Sequence, residues 1–171
     1  MNTQERREAI KNKIMESEKP ISATALAKIF HVSRQIVVGD VAILRASQEA
    51  ILATPRGYIY DYKDEENTYV IACIHTQKDT QEELNIIVDE GGSVDDVIIH
   101  HAVYGELSGK LHIASRMDVE EFISLCKEKK AKNLSDLSEG VHFHTIKVPN
   151  EKVYNSILEK LKEKGFLYEK N

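Results

Sequence analysis

Along the first sixty residues, apolar positions recur at helical spacing: Ile10 and Ile14, then Leu26 and Ile29, then Ile36, Val37, Val41 and Leu44. The spacing predicts three short helices. Ser22 and Ser33 stand where a side-chain oxygen caps the second and third. Ala50 to Tyr60 then reads as two short strands around Pro55-Arg56-Gly57. The texture changes beyond the polar stretch Asp61 to Thr68, whose one apolar residue is Tyr62. Tyr69 to His75 is a buried-strand pattern, and Asp79 to Glu90 a helix running from a capping aspartate to Gly91-Gly92. Val94 to Val103 and Lys110 to Ile113 read as strands separated by the turn-rich Gly105-Glu-Leu-Ser-Gly109. Met117 to Lys130 is amphipathic, Val141 to Val148 alternates as a strand, and Asn150 to Lys164 is a helix stopped by Gly165.

These elements predict two domains. Residues 1–62 form a winged helix-turn-helix. Residues 68–171 form an α+β unit in the order βαββαβα, an antiparallel or mixed sheet covered by helices on one face.

Within residues 21–47 the second and third helices are joined by Phe30-His31-Val32. Position 31 favours positive φ, where glycine is usual, and histidine stands there instead. The third helix is the one that would enter a major groove. Ser33, Arg34 and Gln35 at its N-terminal end are the leading DNA-contact candidates. Arg45 near its end suits a phosphate or an intramolecular pair, and Arg56 at the wing tip suits a minor-groove or phosphate contact. A generic interaction module is the competing reading, and the placement of the turn and both caps favours DNA.

The net charge of −5 argues against DNA binding until the chain is divided. Residues 1–62 carry nine basic and seven acidic residues, a balance of +2, whereas residues 63–171 carry fourteen and twenty-one, a balance of −7. The first part is compatible with a phosphate backbone and the second is repelled by it. The 171 residues contain no apolar run long enough to span a bilayer, and MNTQERREAIKNKI is no secretion signal. Cys73 and Cys126 stand apart, without CxxC spacing, so reduced thiols and a cytoplasmic location are expected.

The histidines of the second domain carry candidate chemistry. His142 and His144 alternate on one strand, so both imidazoles face one side of the sheet. With His75 at a strand end and Glu83 one turn into the next helix, they offer three nitrogens and a carboxylate to a first-row divalent metal. Zinc, nickel, iron and manganese all fit that set; a surface strand of polar residues is the alternative. His100 and His101 are adjacent, so only one of them can join a shared site, and periodicity does not choose. Arg116 suits a ligand carboxylate or an ion pair with Asp118 or Glu120.

Residues 21–60, notably LAKIFHVSRQIVVGDVAILR, resemble the biotin-repressor-like winged helix. Across residues 69–148, His75, His101 within HHAVYGEL, IASRMDVEEF and Val141-His-Phe-His144 resemble the 3H domain. The combination resembles the niacin-responsive repressors of NAD biosynthesis and niacin uptake genes. That resemblance implies a homodimer on double-stranded operator DNA with nicotinic acid as co-repressor. It implies a regulatory domain with the topology of the sugar-transport phosphocarrier protein, and a transition metal at His75, Glu83, His142 and His144. Ala102 departs from the proline more usual after the histidine. His101, Tyr104 and Arg116 are candidates for holding nicotinate.

Two rivals differ in class. A metal-dependent enzyme or repressor-ligase is disfavoured, since the chain has no Gly-rich phosphate loop, no nucleophile paired with a base and no HExxH. A sensor whose effector is the metal itself is separated by operator titration at fixed metal.

Overall fold

The computed structural model describes residues 1–62 and 67–169. The chain divides into two compact units, Met1–Lys63 and Asp64–Asn171. The polar stretch read as the boundary therefore lies partly outside the described residues, at 63–66.

The first unit is three helices and a hairpin. Helix α1 (Thr3–Glu16) opens with a capping box, in which Asn2 Oδ1 accepts from Glu5 N–H and Glu5 Oε2 accepts from Asn2 N–H, both at 2.9 Å. Ser22 Oγ caps α2 (Ala23–Phe30) by accepting from Ala25 N–H at 3.0 Å. Ser33 Oγ caps α3 (Arg34–Ala46) by accepting from Ile36 N–H at 3.2 Å. Between them His31 takes the left-handed conformation, φ 54° and ψ 44°, that the turn requires. Strands β1 (Ile51–Thr54) and β2 (Gly57–Tyr60) pair antiparallel around Pro55-Arg56. Ile21 bridges to Tyr58, and a Cβ at Gly57 would lie 2.4 Å from the Ile21 carbonyl carbon. Only glycine lets the wing approach so closely.

Ile10, Ile14, Leu26, Val37, Val41, Leu44 and Ile51 form this unit's core. Ile36, expected to share the buried stripe of α3, is instead 41% exposed. The stripe is centred on Val37, Val41 and Leu44, and Ile36 lies a helical step of about 100° to one side. Asp40 is buried in that stripe and is held by Arg6 Nε at 2.7 Å and Arg7 Nε at 3.0 Å.

The second unit runs β3 (Thr68–Ile74), α4 (Thr80–Asp89), β4 (Ser93–His101), β5 (Gly105–Ile113), α5 (Arg116–Glu128), β6 (Val141–Lys147) and α6 (Glu151–Glu163). This is the predicted βαββαβα order. The four strands form an antiparallel sheet in the order β3-β6-β4-β5. Leu84 and Ile87 of α4, Val119 of α5, and Ile157 and Leu161 of α6 pack on Ile71, Val94, Leu111, Ile113 and Ile146 of the sheet.

Two local expectations change. Gly105 to Gly109 is strand, not turn: Ile99 pairs with Leu107 and Val97 with Gly109, and the turn lies just before, over 102–104. Asp79 stands at the start of α4 but makes no side-chain cap bond; a 3-10 turn, Gln77–Asp79, feeds the helix instead.

Candidate metal centre and DNA-reading helix

The alternation of β6 places His142, His144 and Ile146 on the helix-covered face of the sheet. In the β3–β6 register His142 stands opposite Cys73 and His144 opposite Ile71, so β3 directs Ile71 and Cys73 to the same face, with His75 just past its end. Glu83, in the first turns of α4, reaches down onto this row. The structure thus gathers all four predicted ligands, and each is buried.

The contacts are centred on the Glu83 carboxylate. His144 Nε2 lies 2.6 Å from Oε1, His142 Nε2 lies 3.1 Å from Oε2, and His75 Nε2 touches Oε2. The outer nitrogens are all turned to backbone carbonyls: His75 Nδ1 to Thr76 at 2.7 Å, His142 Nδ1 to Gly140 at 2.8 Å and His144 Nδ1 to Asp96 at 2.6 Å. A carbonyl only accepts, so each Nδ1 carries a proton and donates it. In the neutral imidazoles, Nε2 then presents a lone pair toward the carboxylate. Three such lone pairs and an anion repel one another. Protonating all three rings instead buries three positive charges against one negative. A divalent cation among the four removes both difficulties, and the outward Nδ1–H bonds are the supports that metal-bound histidines require.

Charge reinforces this geometry. Burial pushes the Glu83 carboxyl up, but the charge of His144 and hydrogen bonds with His142 and His144 outweigh it and hold the group well below the usual carboxylate range. Burial opposes charge on His144, yet Glu83 and the Asp96 carbonyl raise its pKa above the ordinary imidazole value. Glu83 thus stays ionised and draws a proton onto His144, which a cation binding at that Nε2 would displace.

Two positioning residues escaped the sequence reading. Asp96 lies where β4 bulges against β6, and its carboxylate accepts from Thr145 N–H at 2.8 Å and Thr145 Oγ–H at 2.9 Å, while its carbonyl holds His144. Gly140, at φ +90°, passes so close to His75 that a Cβ would lie 2.6 Å from the His75 carbonyl oxygen. No motif marks either one. Cys73 was also missed, although Cys73-Ile-His75 repeats the i, i+2 spacing of His142-Phe-His144. Its Sγ, a Glu83 oxygen and a His142 nitrogen all lie within 4.8 Å of one another. Burial, then the Glu83 charge, pushes this thiol far above its usual pKa.

The structure does not bring the nicotinate candidates to this centre. His101 caps the β4–β5 turn, its Nδ1 accepting from Val103 and Tyr104 N–H at 3.1 and 3.2 Å, with the Tyr104 ring 5.0 Å from its own. The Arg116 guanidinium grips Asp89 at 2.8 and 2.6 Å, a partner neither local candidate anticipated. A cavity of about 260 Å³ opens between the start of α4 and α5, lined by Lys78, Thr80, Ile123, Lys127 and Asn133 among others.

On α3, Val37, Asp40, Val41 and Leu44 face the core, which turns Gln35, Gly39, Ala42 and Ala46 to the opposite side. Arg34, Gln35 and Arg45 are exposed, and Ile36, Val38 and Ile43 flank the small residues at 41%, 37% and 45% exposure. Arg56 is half-buried in the wing turn, where its N–H donates to Thr54 Oγ1 at 3.2 Å. Among the described residues, no helix is long and apolar enough to cross a membrane.

Residues 6–59 match the HTH domain family and residues 68–170 the 3H domain family. The chain is 40% identical over 166 residues to the probable transcription repressor NiaR of Thermotoga maritima, covering 97% of this chain and 95% of that one. It is 39% identical over 158 residues to the transcription repressor NadR of Bacillus subtilis, covering 90% and 88%. The chain therefore belongs to the family of HTH–3H transcription repressors, DNA-binding regulators rather than enzymes.

Proposed function

We propose that this repressor acts on NAD biosynthesis and niacin uptake genes as a homodimer, with nicotinic acid as co-repressor and a divalent transition metal in the 3H unit. The carrying observation is the buried convergence of three Nε2 atoms on Glu83. The residues His75, Glu83, His142 and His144 would hold the metal. Bound there, the cation supplies a fixed positive charge that attracts a carboxylate. The chain's own work is to orient the imidazoles through Thr76, Gly140 and Asp96 and to keep water from the centre.

For nicotinate, His101 and Tyr104 offer an imidazole and an exposed ring at the β4–β5 turn; Arg116 lies beyond the opposite end of β5 and offers a guanidinium there only as a separate alternative, once Asp89 releases it. Nicotinate strengthens repression only by preferring the DNA-binding state of the dimer. In that state two α3 helices enter successive major grooves, with Ser33, Arg34 and Gln35 leading, Gln35 toward base edges and Arg34, Arg45 and Arg56 toward phosphates.

A second reading makes the metal itself the effector. The burial of all four ligands favours it over direct coordination of nicotinate, because a closed site leaves no open position for a ligand. Fluorescence anisotropy on operator DNA, with and without nicotinate at fixed metal and with and without metal in the absence of nicotinate, separates the two. Tighter binding with nicotinate supports the co-repressor; a response to metal alone supports the sensor.

A further inference from the structure

Cys73 is fully buried in the apolar core of the second unit, but one side of it borders polar groups. It stands opposite His142 in the β3–β6 register and two residues before His75, on the face from which Glu83 descends. Its sulfur lies within 4.8 Å of ligand atoms of both Glu83 and His142. His75 Nε2, also buried, touches Oε2 of the same carboxylate. The sulfur therefore lies in one buried cluster with the Glu83 carboxylate and the His142 imidazole.

We propose that Cys73 is a fifth metal ligand, binding as the thiolate. This rests on the reading of His75, Glu83, His142 and His144 as a metal site and adds a donor to it. On binding, the sulfhydryl proton leaves to solvent and the sulfur lone pair goes to the metal. A soft sulfur among three nitrogens and an oxygen shifts selectivity toward zinc, cobalt(II) and nickel and away from manganese, which prefers oxygen ligands.

The test is optical and needs no operator. Cobalt(II) is titrated into the metal-stripped full chain, and the spectrum is read in the visible for ligand-field bands and in the near ultraviolet for thiolate-to-cobalt charge transfer. Both sets of bands are expected in the wild-type chain and in Cys126→Ser. In Cys73→Ser the near-ultraviolet band should vanish while the visible bands persist, and the preference for cobalt over manganese should narrow. Visible bands without charge transfer in the wild-type chain would overturn the thiolate ligand and leave the other four standing. No visible bands at all would overturn the metal site together with the inference. Should Cys73→Ser fail to fold, the wild-type and Cys126→Ser spectra decide by themselves.

Discussion

Asp96 holds His144 from behind, its carbonyl oxygen 2.6 Å from the imidazole Nδ1, while its carboxylate ties down Thr145, the next residue on β6. One residue thus sets both the tautomer of a proposed ligand and the path of the strand that carries it. Asp96→Ala removes the ties to Thr145 and touches no ligand. Metal affinity should fall by less than the roughly 10–100-fold that follows loss of an outer support, because the residue 96 carbonyl that holds His144 remains. Competition against a chelator measures it, and unchanged affinity would show that the bulge alone fixes His144.

Asp40 gives the first unit a defined dependence on pH. Burial raises its pKa, but hydrogen bonds from Arg6 and Arg7 outweigh burial and hold it below the ordinary carboxylate value. A carboxyl lowered in the folded state stabilises above its unfolded pKa of about 3.9, and that contribution is lost as pH falls through the folded value. The wild-type helical signal should therefore become less heat-stable below about pH 4. Asp40→Asn should lose about 2 kcal/mol at neutral pH, the scale of hydrogen bonds to charged groups, and show a flatter acid limb. Circular dichroism melts across pH check both.

Gly39 separates stability from DNA reading. A Cβ there would meet nothing within 4 Å, and the position faces away from the core. Gly39→Ala should stabilise α3 by about 0.5–1 kcal/mol, because glycine is a poor helix residue. If Gln35, Gly39 and Ala42 form the surface seated in the groove, the added methyl should weaken operator binding several-fold. A stabilised variant with full operator affinity would move the reading surface elsewhere on α3.

The element order was legible because periodicity and caps are local: Ser22, Ser33 and Asn150 each cap the helix that their positions announce. His142 and His144 were legible because alternation on β6 fixes a common face, and His75 and Glu83 because they flank the strand-to-helix connection that follows β3. What failed is non-local or degenerate. Arg116 finds Asp89, twenty-seven residues away, which no local spacing reports. Ile36 is apolar yet exposed, since neighbouring apolar residues on a helix leave the centre of the buried stripe undetermined. Two glycines made Gly105–Gly109 look like a turn, although Gly109 pairs in register with Val97. Cys73 was passed over because its significance depends on the β3–β6 register, which exists only once the sheet is assembled.

The central claim is that the centre at His142 and His144 carries the response to nicotinate. The most direct measurement is operator affinity of the folded His142→Ala/His144→Ala chain, by anisotropy with and without nicotinate in the presence of metal. Nicotinate should no longer tighten binding in that variant, while a weak, salt-sensitive affinity remains through the intact first unit. A full nicotinate response in that variant would contradict it.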